Sequence, residues 1–274
     1  VKAKLVPAAV AAAAFLFFQI NARGAETPFD HVNPFIGTGG EGHTYPGATV
    51  PFGMVQLSPD TDVRFFRESF PWCAGYQYGD SSIIGFSHTH FSGTGHSDMG
   101  DVLVMPTVGP LKLEPGPKED PGAGYRSRFS HTEESAEPGY YSVVLKDYGI
   151  RAELTATTRV GFHRYTFPQS DDAHVILDLV SSIYNYDGKV LWSQVRVENE
   201  TTVTGYRQTK GWAAYRHVYF ALRFSKPFES YGVANDAEEV YKGFGKTGKL
   251  LENYPDVGGR KLRAFFNFKT AEGE

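Results

Sequence analysis

A single cysteine, Cys73, stands among 274 residues, so no intrachain disulfide framework staples this chain and its stability has to come from packing. Dense blocks of Lys and Arg are also missing. With 27 basic and 31 acidic side chains, the formal net charge is -4, which argues against a nucleic-acid footprint. Beyond the first two dozen residues no segment keeps a 3.6-residue apolar period over helical length, which removes helical bundles and alternating strand–helix folds. A second apolar run long enough to cross a bilayer is lacking as well.

What is present begins with an export pattern. Lys2 and Lys4 precede an unbroken apolar run, Leu5–Phe18, and small residues at Ala22 and Gly24 follow. A basic start, a short apolar stretch and small residues at a cut site make a secretory signal rather than a membrane span. Residues 1–24 are therefore expected to be a signal peptide, with cleavage before Ala25. Residues 25–274 are expected to form the exported domain, periplasmic or secreted, with no span of its own.

Aromatic residues are plentiful, at 15% of the chain, and fit a sheet core. Strands are predicted at Met54–Leu57, ended by Ser58–Pro59, and at Ile83–Phe86, Asp101–Gly109, Tyr140–Tyr148, Ile150–Val160 and Phe162–Phe167. Others are predicted at Ala173–Val180, Leu191–Glu198, Val203–Gln208, Ala214–Phe224 and Lys261–Phe268. Alternation places Ala152, Leu154 and Ala156 on one face and Glu153, Thr155 and Thr157 on the other. The stretch Ala234–Lys249 reads as a short helix or a long hairpin. Many strands joined by Gly/Pro-rich turns imply an all-β fold, a large two-sheet β-sandwich.

Chemistry concentrates in "FSHTHFSGTGHSDMGD", Phe86–Asp101. His88 and His90 are two apart and share a strand face, a spacing that zinc sites use, with His96, Asp98 or Asp101 as a further ligand. The same residues equally suit a loop knitted by side-chain hydrogen bonds, or the wall of a polar pocket. Asp98 and Asp101 read as an acid/base pair or as turn caps. Gly37, Gly39 and Gly42 match G-x-G-x-x-G, but Pro34, Pro46 and Pro51 surround them where a strand and a helix are needed, so dinucleotide binding is not implied. Trp72 reads as a sugar-stacking platform or as core filling. Asp178 interrupts an apolar strand and must be paired or lie near a turn.

Four stretches carry a family likeness: "VNPFIGTGGEGHTYPGATVPFGMVQLSPDT" (Val32–Thr61), "GYQYGDSSIIGFSHTHFSGTGHSDMGDVLVMPTVG" (Gly75–Gly109), "VGFHRYTFP" (Val160–Pro168) and "VYFALRFSKPF" (Val218–Phe228). Together they resemble the N-terminal domain of the glycoside hydrolase family 92 α-mannosidases. The resemblance implies a super-sandwich packed on a larger C-terminal (α/α)6 domain. The two together would form a calcium-dependent, inverting exo-mannosidase acting on mannose-containing glycans.

General acid, general base and most ligands to Ca2+ are implied to lie on that helical part, leaving no catalytic or metal-ligating residue here. To this chain the resemblance assigns substrate binding by Gly39, Gly40, Trp72, Cys73, His96 and Asp98. His96 occupies a place where a small residue or cysteine is expected, which bears on the linkage accepted. The competing expectation is a free-standing carbohydrate-binding or interaction module without turnover.

Overall fold

The computed structural model describes residues 26–62, 72–235 and 249–274. The expected signal segment lies outside the described residues. Within the first of two compact units, residues 1–32, the described part is a single 3₁₀ turn, Pro28–His31. Its start is tied by Asp30, whose carboxylate accepts from the Thr27 N–H and hydroxyl. The second unit, residues 33–274, holds all the described strands.

Strand formation follows the side-chain period. In β9 (Ile150–Ala156), Ile150, Ala152 and Leu154 are buried while Arg151 and Thr155 face water, as the alternation predicts. It sits in a four-stranded sheet ordered β10 (Gly161–Thr166), β9, β8 (Tyr140–Leu145) and β7 (Glu134–Glu137). A second four-stranded sheet runs β14 (Arg216–Arg223), β13 (Thr202–Thr209), β12 (Val190–Asn199) and β17 (Asp256–Gly259). Opposite them lies an eight-stranded sheet. Its order is β1 (Ala48–Thr49), β2 (Gln56–Asp60), β4 (Gly85–Ser87), β5 (Leu103–Val108), β11 (Ser170–Asp178), β18 (Leu262–Thr270), β15 (Ser230–Asn235) and β16 (Lys249–Glu252). A two-stranded ribbon pairs β3 (Ser82–Ile83) with β6 (Ser127–Arg128).

The sandwich expected from sequence is present, with its second layer divided. β8 and β9 pack on β1 and β2 at one end of the large sheet, and β12 packs on β18 toward the other. Leu57, Phe86, Leu177 and Phe266 fill the space between layers and are fully buried. Each such side chain contributes about 1.5–3 kcal/mol. β11 lies between β5 and β18 and is buried on both faces from Ala173 onward, which explains its continuous apolar run.

One boundary differs from expectation. β2 continues through Pro59 to Asp60 instead of stopping at Ser58–Pro59. The proline is tolerated because β1 pairs β2 only at Gln56 and Leu57, so beyond Leu57 one side of β2 has no described strand to which an N–H is owed. In the Ala234–Lys249 stretch, β15 and β16 pair antiparallel, which supports the hairpin reading at its two ends. Residues 236–248 lie outside the described residues.

Asp178, at the end of β11, is both paired and at a turn. Its carboxylate accepts from Tyr125 Oη at 2.7 Å, Arg263 Nε at 2.8 Å and the N–H groups of Val180 (2.6 Å) and Ser181 (2.8 Å). Burial works to raise this carboxyl, but the Arg263 guanidinium and the other donors outweigh it and hold it below the usual carboxylate range.

Candidate functional site

The loop that joins β4 to β5 carries the histidines, and each engages a different environment. A carbonyl only accepts, so His88 Nδ1–H donates to the Val102 carbonyl (2.6 Å), which leaves His88 Nε2 as an acceptor. His163 Nε2–H fills it at 3.0 Å, and His163 Nδ1 in turn accepts from the Tyr165 hydroxyl at 2.7 Å. His90 lies 2.8 Å from the Gln56 carbonyl through Nδ1 and 2.9 Å from the Asp60 carboxylate through Nε2. His96 turns instead toward Trp212, ring centroids 4.4 Å apart. The three do not converge on one point. Among the described residues no group of three His, Cys, Asp or Glu side chains is placed to hold a metal ion.

The His88–His163 pair has a pH consequence. Burial pushes the His88 imidazole down to about 4 and His163 well below its ordinary value, with repulsion from His88 adding to the effect. Both groups titrate near ~6.5 when unfolded, so below that pH the unfolded chain binds more protons. Stability from this pair is therefore complete above ~6.5 and drains as pH falls toward 4. The urea midpoint is expected to fall across that window in the natural chain and to fall much less in a His88→Gln/His163→Gln variant. Equal declines in the two proteins would contradict this.

Asp98 and Asp101 form the anionic centre of a buried charge network. Asp98 lies 2.6 Å from Lys189 Nζ and 3.3 Å from Arg216, and it accepts from the N–H groups of Met99 (2.9 Å) and Trp212 (3.0 Å). Asp101 faces Arg207 (3.2 Å) and Arg216 (3.0 Å) and accepts from the Thr89 hydroxyl (2.7 Å). Burial opposes the Asp98 charge, but Lys189, Arg216 and the Met99 N–H prevail and hold its carboxyl below the ordinary range. Lys189 sits below its own ordinary value, chiefly through burial, which outweighs its Asp98 partner, with Arg207 and Arg216 adding repulsion. Acceptors are scarce here: Nε of both arginines is buried without a hydrogen-bond partner.

Above this network opens a cavity of about 330 Å³, lined by His96, Ser97, Tyr184, Tyr186, Gly211 and Trp212. Its floor is held from below. Gly211 lies so close to Asp98 that a Cβ there would stand 2.6 Å from both carboxylate oxygens, and the Lys189 ammonium lies 5.6 and 5.7 Å from the Tyr184 and Tyr186 ring centroids. Sequence reasoning found His96 and Asp98 but missed Lys189, Arg207, Arg216 and the three aromatic walls.

Three of the six expected binding residues, Cys73, His96 and Asp98, are gathered at or beneath this cavity. Cys73 is buried, with its Sγ accepting from the Ser97 hydroxyl at 3.3 Å, and burial pushes the thiol up, which removes thiolate chemistry. Gly39 and Gly40 sit in a loop that closes on itself: a Cβ on Gly42 would meet the Gly37 carbonyl at 2.2 Å, and Gly40 takes φ +58°. That loop is pinned by Gln77, which donates to the Gly40 carbonyl at 3.0 Å, and by Tyr78, whose N–H donates to the Thr38 carbonyl at 2.9 Å. Trp72 is half-buried, its indole N–H donates to Asp80 at 2.7 Å, and the Lys118 ammonium lies 4.9 Å from its ring centroid.

Residues 31–274 match the sequence profile of the Glycosyl hydrolase family 92 N-terminal domain. The chain belongs to this family. A family GH92 α-mannosidase from Bacteroides thetaiotaomicron, solved in complex with mannoimidazole, is 43% identical with a TM-score of 0.80, over 91% of this chain and 31% of that one. The family GH92 inverting mannosidase from Bacteroides thetaiotaomicron VPI-5482 is 29% identical with a TM-score of 0.68, over 91% and 31%. An uncharacterized secreted glycosidase from Arthroderma benhamiae is 31% identical over 145 residues, 52% of this chain and 17% of the relative. This family 92 domain thus spans under a third of the length of each.

The calcium that the family resemblance implies does not fit the carboxylates of this site. Lys189, Arg207 and Arg216 already place three positive charges on the two carboxylates of Asp98 and Asp101. A dication seeking about six to eight oxygen ligands would meet an excess of cations there.

Proposed function

We propose that this chain is the N-terminal, pocket-contributing part of an exported α-mannosidase that removes terminal α-mannosyl groups from glycans with inversion. The observation that carries the reading is the 43% identity, across 91% of the chain, to an α-mannosidase solved with mannoimidazole. Inverting hydrolysis needs a protonated carboxyl to assist the leaving oxygen and a carboxylate about 6.5–9.5 Å away to activate water. Asp98, held below its ordinary range by cations, carries no proton at neutral pH to give. Asp101 is bound to two guanidinium groups. In this reading the general acid, general base and calcium ligands are assigned to the C-terminal (α/α)6 part that the family resemblance implies, and the residues of this chain bind, orient and exclude water.

Export is supported by the basic and apolar start of the sequence and by the secreted relative. Among the described residues no helix is long and apolar enough to cross a membrane.

The test is complementation. Joined to the C-terminal part of the Bacteroides α-mannosidase that it resembles, this chain is expected to yield a protein that releases mannose from aryl α-mannosides and leaves α-glucosides and α-galactosides intact. Proton NMR should show β-mannose as the first product. A folded joined protein that cleaves only other hexosides, or binds mannosides without any turnover, would overturn the reading, and the second outcome would favour a free-standing binding module.

A further inference from the structure

We propose that the cavity bounded by Trp212, Tyr184, Tyr186 and His96 binds a pyranose ring, with Trp212 as the stacking platform. Only the choice of a sugar as ligand class rests on the reading above. A volume of about 330 Å³ lies at the small end of the ~300–1,000 Å³ range of ligand sites, and three of its six lining residues are aromatic. Trp212 leaves 67% of its surface in water, an apolar face whose covering is favourable. His96, which is part-exposed, brings a polar group to the lining, as a ligand ringed with hydroxyls requires.

The platform is rigidly held, which distinguishes it from a casually exposed aromatic. The Trp212 backbone N–H is anchored on the Asp98 carboxylate. The edges of His96 (4.4 Å) and Phe91 (6.1 Å) flank its ring. Tyr186 donates its hydroxyl to the Lys210 carbonyl at 3.2 Å, and buried Lys189 backs both tyrosines. Tyr184 also takes φ +58°, a conformation that costs about 1–3 kcal/mol in a residue with a side chain and tends to persist at ligand sites. The buried charge network thus acts as a positioning device for three rings. Trp72, the platform expected from sequence, has an ammonium over its ring and its N–H committed to Asp80.

The chain itself supplies the test. Methyl α-mannoside, α-glucoside and α-galactoside are titrated into the purified chain and into its Trp212→Ala, Trp212→Phe and Trp72→Ala variants, with binding read by NMR and folding checked by circular dichroism. Pyranoside affinity is expected to fall about tenfold in Trp212→Ala, to survive mostly in Trp212→Phe and to stay near its natural value in Trp72→Ala. Loss in Trp72→Ala with no change in Trp212→Ala would overturn the assignment, as would no binding of any of the three sugars. A preference for glucoside or galactoside with the same Trp212 dependence would support the platform while counting against the mannose reading alone.

Discussion

Replacing Asp98 by asparagine is expected to lower the unfolding free energy by about 3–5 kcal/mol, the usual effect of removing one partner from a buried ion pair. The carboxylate is 2% exposed and its Lys189 partner is not exposed at all, so the ammonium is left in a site that water does not reach. Asp101 cannot take over, because it already faces Arg207 and Arg216. The amide would keep an acceptor for the Trp212 backbone N–H but lose one of the two charges that offset three cations. A Lys189→Met change added to Asp98→Asn should recover part of the loss, since the stranded charge is then gone. Denaturant midpoints measure both, and a cost below about 1 kcal/mol for Asp98→Asn would contradict the network. The folded carboxyl sits below its unfolded value. Its contribution is therefore present above ~3.9 and lost as pH falls through the folded value.

Asp178→Asn is expected to cost a similar ~3–5 kcal/mol through a different part of the molecule. Asp178 is fully buried, and its main charge partner, Arg263, is 6% exposed in its side chain. The pair joins the paired residues Asp178 of β11 and Arg263 of β18 in the large sheet, and the Tyr125 hydroxyl closes on the same carboxylate. Arg263 also reaches Glu114, but that partner is largely exposed and offsets the loss weakly. The sandwich should remain strand-rich by circular dichroism while its midpoint falls. An unchanged midpoint would mean that Asp178 is not the anchor described.

Most long strands were legible because their burial pattern is written in residue type. The β9 alternation and the buried run of β11 are both explicit in sequence. Several strands were not legible, or only in part. β1, β3 and β6 are two residues long, too short for any period to register, although Ile83–Phe86 covers part of β3. β7 reads "ESAE", with Ala136 as its one apolar residue, and is held by pairing with β8 rather than by an apolar face of its own. β17 reads "DVGG", and β15 carries Gly232, where a Cβ would meet the Phe265 ring at 2.5 Å. Their strand state comes from neighbours.

The site was half legible for a related reason. Asp98 and His96 stood out because they lie in a glycine-rich loop. Lys189, Arg207 and Arg216 lie in or beside ordinary strands, and which acid each meets depends on sheet packing across ~90 to 115 residues. A weak signal existed for Arg207: along β13, Val203, Arg207 and Thr209 are buried, so a charged residue occupies the inward phase and must have a partner. Trp212 carries little signal in sequence, because Gly211, Ala213 and Ala214 flank it, whereas Trp72 stands among Phe70, Tyr76 and Tyr78.

Mannose release by the purified chain alone, in calcium buffer and after its folding has been verified, tests most directly whether its carboxylates serve structure and the chemistry lies on another part. No release above the buffer rate is expected, since absence of an acid or of a base each costs ~10²–10⁴-fold. Sustained release of mannose by this chain alone would contradict the account and return the chemistry to the loop Phe86–Asp101.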